Sequence, residues 1–139
     1  MPVLLEIISP EKILFSANVD MSVIPGEEGD IAAMPERAPL MISLRGGVLS
    51  YYQGEKVAGT FFIAGGFADM NAEKCTVLAD DAYPVSDIST RDAYTALEGL
   101  EAALANVTAE NVVEQDRIAR RIQIVRAEIE AAEEKSPTH

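Results

Sequence analysis

Carboxylates are the most plentiful reactive groups in this chain. It has 23 acidic side chains against 11 basic ones, one Cys, one His and no Trp in 139 residues. A Ser-His-Asp or Cys-His nucleophile would have to use His139, the last residue. One Cys and one His cannot build a zinc site unaided, and a lone Cys cannot form an internal disulfide. The acids Glu27, Glu28 and Asp30 surround Gly29 without the spacing of an EF-hand loop, so by themselves they read as a hairpin tip. Asp80-Asp81 reads as a solvated turn. Gly65-Gly66 reads as a turn or bulge rather than a phosphate loop, because no Lys-Ser/Thr follows. Carboxylate pairs abound, but nothing marks a cleft that would tune their pKa values. No catalytic, metal or cofactor-binding residue is assigned.

The net charge of −12 repels phosphate backbones and anionic lipid headgroups, which argues against nucleic acid or a membrane surface as direct partners. The segment from Met1 to Glu6 has no basic region ahead of its short apolar run and does not read as a signal peptide. No apolar stretch approaches the ~20 residues of a membrane span. The expectation is a soluble chain in a reducing compartment, reaching any membrane only through a partner. An apolar content of 48% supports a folded core.

Two grammars meet near Ser86. Eight of nine Gly, six of seven Pro and seven of eight aromatics precede it. Gly and Pro punctuate short strands, and their scarcity permits long helices. Residues 1–86 therefore read as a β-sandwich, 87–139 as an α-helical hairpin: an α+β chain. Short apolar runs at Val3–Ile8, Ile31–Met34, Leu40–Leu44, Val48–Tyr52, Thr60–Ala64 and Cys75–Ala79 are separated by turn signals, among them Gly46-Gly47 and Gly65-Gly66. Val19, Met21 and Val23 alternate with Asn18, Asp20 and Ser22, which predicts one half-buried strand. Gln53-Gly54-Glu55-Lys56 predicts a tight hairpin tip. Cys75 reads as a buried, inert thiol.

In the second half, Ala93, Leu97, Leu100, Leu104 and Val107 form one apolar stripe, and Ile118, Ile122, Val125, Ile129 and Ala132 form another. Ser89 is the expected cap of the first helix and Thr108 of the second. The short link makes the helices antiparallel neighbours. The stripes are narrow. Their burial contributes on the order of 10 kcal/mol, about what ordering the backbone costs once helix hydrogen bonds are counted. The hairpin therefore needs a surface to dock on, and it can exchange one surface for another. Opened end to end, roughly 45 residues would reach ~65 Å.

The order and spacing of several segments resemble the epsilon subunit of F-type ATP synthases. They are Leu4-Leu5-Glu6-Ile7-Ile8-Ser9-Pro10-Glu11, the stretch from Pro25 to Leu40 containing Gly26-Glu27-Glu28-Gly29-Asp30-Ile31, then Leu44-Arg45-Gly46-Gly47-Val48, Phe62-Ile63-Ala64-Gly65-Gly66-Phe67 and Thr76-Val77-Leu78-Ala79-Asp80. Three positions depart from the family pattern. Ala32 and Glu36 stand where Gly is usual and Arg37 where His is usual, which predicts altered backbone geometry near Glu36.

The resemblance implies a non-catalytic subunit at the foot of the rotary central stalk, bound to the gamma subunit and resting on the c-ring. It implies a peripheral place on the cytoplasmic face of a bacterial plasma membrane, with thylakoid or mitochondrial equivalents as alternatives. It casts Asp30 and Arg37, with Glu28 and Ile31 beside them, as the c-ring contact. An acid on a turn can pair with basic side chains there. Of Tyr51-Tyr52 and Phe61-Phe62, one ring each belongs in the core, and the outward ring is a candidate for the gamma interface. Some members bind ATP through a motif that falls here on Ile88-Ser89-Thr90-Arg91-Asp92-Ala93. Ser89 replaces its Asp, Asp92 replaces its Arg, and Gly99, Ala102 and Ala103 stand where further Arg would be. The expectation is weak or no ATP binding. Arg117, Arg120 and Arg121 make a basic face on the second helix. One reading sets them against the catalytic alpha/beta subunits in a state that restrains ATP hydrolysis. The other pairs them internally with Glu110, Glu114, Asp116 or acids of the first helix. A free-standing sandwich adaptor with a coiled-coil arm for another helical partner is the alternative to the whole reading.

Overall fold

A computed structural model describes residues 2–36 and 38–134. Eight strands come first: β1 (Val3–Ile8), β2 (Ile13–Val19), β3 (Met21–Gly26), β4 (Gly29–Ala33), β5 (Leu40–Gln53), β6 (Lys56–Met70), β7 (Lys74–Ala79) and β8 (Ala82–Pro84). A 3-10 turn at Val85–Asp87 leads into α1 (Thr90–Asn106) and α2 (Val112–Glu134). The strands join as β2-β1-β7-β6-β5-β3-β4, with β8 on β6. All pairs are antiparallel except β1 with β7.

The two long strands depart from the expected pattern. Leu40–Leu44 and Val48–Tyr52 belong to one strand, and Thr60–Ala64 continues through Gly65-Gly66 to Met70. The double glycines are bends inside paired strands, not turns. The core-facing residues show why. In β5 they are Leu40, Ile42 and Leu44, then Leu49 and Tyr51; in β6 they are Phe61 and Ile63, then Ala68 and Met70. Each list contains an odd step, so the strand pair swaps its inner and outer faces midway while keeping register. A swap of faces needs backbone outside the ordinary extended range. Gly65 and Gly66 supply it with φ of 94° and 132°. Past the bend β6 pairs with β7, and before it with β8, so one sheet folds over on itself and encloses a core of Leu5, Ile7, Ile24, Leu49, Ile63, Met70 and Val77.

The strand expected across Val19–Val23 is two strands that part at Asp20. On the second, Ser22 and Ile24 are buried while Met21 and Val23 are half-buried. The period-two pattern is broken at Asp20, where the chain leaves its pairing with β1 and takes up pairing with β5, and the inward face is reset. The hairpin tip at Gly54 is as expected, with φ of 68°.

Ser89 caps α1, its hydroxyl accepting from the Asp92 amide at 3.2 Å. Thr108 does not cap α2. That place falls to Asn111, whose Oδ1 accepts from the Glu114 amide at 3.2 Å, while the Thr108 carbonyl accepts from Gln115. Asn and Thr both cap well, so the sequence offered two starts. The α2 stripe is buried throughout, at Ile118, Ile122, Val125, Ile129 and Ala132. Val125 and Ile129 pack on Ala93, with Leu97 and Leu100 beside them. Ala131 and Ala132 lie on Phe62, Ala64, Val85 and Ile88. There are thus two separate cores, one inside the sandwich and one between the helices, with an interface layer joining them.

Candidate functional site

The acidic turn between β3 and β4 is tight and held by several contacts. Gly26 and Gly29 face each other across it, leaving Glu27 and Glu28 at the apex. A Cβ on Gly26 would lie 2.6 Å from the Gly29 carbonyl oxygen, so only glycine fits. Three bonds tie the turn to β5. The Glu27 amide donates to the Ser43 carbonyl at 2.9 Å. Arg45 donates through Nη1 to the Gly26 carbonyl at 2.5 Å and through Nη2 to Asp30 Oδ1 at 2.7 Å. Glu28 and Asp30 are exposed and Ile31 is half-buried. The structure therefore gathers Glu28, Asp30 and Ile31 at one tip. Arg37, the fourth residue expected there, lies outside the described residues, as does His139. Arg45 is the residue that sequence reasoning missed. Its signal was a lone cation before a double glycine, and only the fold brings it opposite residues 26–30.

Glu36 has φ of 67°, the left-handed region. Its amide donates to the Ala72 carbonyl at 3.3 Å. The conformation that glycine adopts most readily is present at this position despite the side chain.

A second surface is apolar. The ladders align Phe67 with Leu78, Leu78 with Ile8, and Ile8 with Ile13. All four point away from the core, since their neighbours Ala68, Val77 and Ile7 point into it. Phe67 is 54%, Leu78 48% and Ile13 60% exposed. Met41, also exposed, lies on the strand beside Phe67. A row of apolar side chains across four strands is thus open to solvent. The aromatic pairs behave differently from expectation. Phe15, Tyr51 and Phe61 cluster together at the rim of the sandwich core. Phe62 points outward but is fully buried beneath α2, stacked on Tyr83.

The helices are fastened to the sheet by polar contacts as well. Gln123 of α2 accepts from the Gly46 amide at 3.0 Å and donates to the Gly46 carbonyl at 2.8 Å. It does so where the β3–β5 ladder lapses, between Val23 and Gly26. One side-chain amide replaces a missing strand partner. Burial, and with it the hydrogen bond that Tyr83 donates to Glu128, pushes the Tyr83 phenol above the ordinary range. Tyr94 donates to Glu133 at 2.9 Å, and Arg126 pairs with Glu101 at 3.2 Å, clasping α1 to α2.

The three arginines of α2 divide. Arg117 pairs with Glu114, and Arg120 with Asp116 at 3.0 Å, all on the helix surface. Arg121 faces a groove of about 370 Å³ lined also by Tyr83, Asp87, Ser89, Asp92 and Glu128. That groove opens beside residues 88–93, and its charge is mainly acidic. Cys75 is buried, and burial pushes its thiol up to about 11; the facing Ser22 hydroxyl opposes the shift and Asp69 adds to it. Among the described residues no cluster of His, Cys, Asp and Glu is arranged to hold a metal ion. No described helix is long and apolar enough to cross a membrane.

Comparison with known proteins places these features in a wider set. The family model described as ATP synthase, Delta/Epsilon chain, beta-sandwich domain matches residues 3–85. The ATP synthase epsilon chain of Gluconacetobacter diazotrophicus is 52% identical over 132 residues, covering 95% of this chain and 94% of the relative. That of Granulibacter bethesdensis is 45% identical over 128 residues, covering 92% and 95%. Among solved structures, a chain of the Euglena gracilis mitochondrial ATP synthase (OSCP/F1/c-ring, rotational state 1) superposes with a TM-score of 0.77 at 21% identity, covering 94% of this chain and 81% of that one. A chain of the Tetrahymena thermophila mitochondrial ATP synthase central stalk and c-ring gives 0.65 at 15% identity, covering 95% and 97%. At such identities these two likenesses speak to the fold.

Proposed function

The chain belongs to the ATP synthase delta/epsilon family as an epsilon chain, and from that premise we propose that it works as a non-catalytic part of the rotor, transmitting rotation between c-ring and catalytic head. The observation that carries this reading is a pair of differently built surfaces on one sandwich, an open apolar row and a pinned acidic tip. The open apolar row of Ile8, Ile13, Phe67 and Leu78 suits a permanent protein contact, for which the gamma subunit is the partner. The pinned acidic tip of Glu28, Asp30 and Ile31, with Arg37 following in sequence, suits a polar contact with basic loops of the c-ring. The chain then sits peripherally, on the cytoplasmic face of a bacterial membrane. The match along nearly the whole length of epsilon chains weighs against the free-standing adaptor. Affinity purification of the tagged chain from its own cells tests this: gamma and the catalytic subunits should co-purify in fixed proportion, and their absence would restore the adaptor reading.

The hairpin is proposed to restrain ATP hydrolysis by leaving the sheet and engaging the head through Arg117, Arg120 and Arg121. Its support is that the hairpin has a core of its own and lies on the sheet through one helix. ATPase assays of the complex carrying a chain cut after Ser86 should show increased hydrolysis; unchanged hydrolysis would make the helices a passive arm. ATP itself is not a ligand on this reading. Asp87, Asp92 and Glu128 around the groove repel a triphosphate more than Arg121 attracts it. Calorimetric titration should detect no binding below millimolar concentrations, and a sub-millimolar dissociation constant would refute the point.

A further inference from the structure

We propose that Arg45 is the positioning residue of the acidic tip, and that its two-armed contact fixes the direction in which Asp30 presents its free carboxylate oxygen to a basic group on the partner. The inference rests on the reading of this tip as the c-ring contact and adds the residue that aims it.

Three acids, Glu27, Glu28 and Asp30, crowd four consecutive positions that follow Gly26 and include Gly29. Such a turn is flexible and self-repelling unless something restrains it. The guanidinium provides the restraint. One arm holds the Gly26 carbonyl, at the root of the turn, and the other holds Asp30 Oδ1, on the returning strand. Both strands of the hairpin are thereby tied to a single planar group on β5. Asp30 Oδ2 has no partner among the described residues and sits on an exposed side chain, available for a cation arriving from outside. The ion pair is solvated, with side chains 36% and 56% exposed, so its worth to folding is small. Its effect is on orientation: a carboxylate already held in place has less freedom to lose when a partner binds. A lysine could supply the charge but not the fork, because an ammonium is a point donor on a flexible stem.

The test measures the dissociation constant of the full-length chain for a purified rotor of gamma and c-ring, with thermal melts of each variant alongside. Asp30→Asn and Arg45→Ala should each weaken binding about tenfold, as for loss of one charge-assisted hydrogen bond. The double variant should be no weaker than either single one, since the two side chains act as a unit. Arg45→Lys should recover less than half of the loss in binding energy, and all melting temperatures should stay near the parent's. If Asp30→Asn weakens binding and Arg45→Ala does not, or if the two losses add in full, the positioning role is overturned while the tip reading stands. If neither variant changes binding, the tip reading itself falls.

Discussion

Two residues hold conformations or environments that their chemistry resists. Glu36 occupies the left-handed region, which costs a side-chain-bearing residue roughly 1–2 kcal/mol, and the Ala72 hydrogen bond holds it there. Glu36→Gly relieves that cost against about 0.5–1 kcal/mol of added chain entropy in the unfolded state. The expected outcome is a gain of about 0.5–1 kcal/mol in chemical denaturation, and a loss would contradict the backbone assignment. At this position, where altered geometry was expected, the backbone takes the left-handed conformation that glycine adopts most readily. Cys75 is the other case. Its thiol is raised from 9.0 to about 11 in the fold, so the protonated form is favoured there. The unfolded chain loses this proton first. Stability is therefore full below pH 9 and declines between 9 and 11, by about 1.4 kcal/mol per pH unit at most. Denaturation curves across that window should show a shallower slope for Cys75→Ala than for the parent, whatever the cavity does to the absolute level.

At the scale of elements, α2 is registered on the sheet by one side chain. Gln123→Ala leaves the buried Gly46 amide and carbonyl without their partner, at a cost of about 1–3 kcal/mol. Amide exchange at Gly46 should accelerate roughly tenfold or more, with the sandwich amides of β1 and β7 unchanged; equal acceleration everywhere would mean that helices and sheet unfold as one. The elements most legible in the sequence were those whose signal is local. The two apolar stripes of the helices, the Ser89 cap, the Gly54 tip and the runs at β1 and β7 could be read from spacing alone. What escaped depends on contacts far apart in the chain. Gly46-Gly47 and Gly65-Gly66 have the composition of turns, and only the pairing of β5 with β6 shows that they let a continuous ribbon exchange its faces. Ser22 is buried because the chain changes partner strand at Asp20, from β1 to β5, and alternation does not carry across that change. The three-residue strand β8 is too short to leave a pattern. The tip residues Glu28, Asp30 and Ile31 were found through resemblance, not through chemistry, and Arg45 was missed because its partners lie 15 and 19 positions away.

As a whole molecule the chain is a sheet folded over on itself with a helical pair laid on it. On the proposed reading the sheet transmits torque through β5 and β6, the two strands that run through both of its layers. The helical pair lies on the sheet mainly through α2, which packs on Phe62, Ala64, Val48 and Val85 and is bonded to Gly46. Departure would uncover Phe62, Ala64 and Val48, which sets a cost that a new partner must offset. The central claim is that this body couples rotation to proton movement. The direct measurement is ATP-driven proton uptake by proteoliposomes holding the synthase from which this chain has been removed. Uptake should be lost, and should return in proportion to the purified chain added back until one copy per complex is reached. Undiminished uptake in its absence would contradict the account.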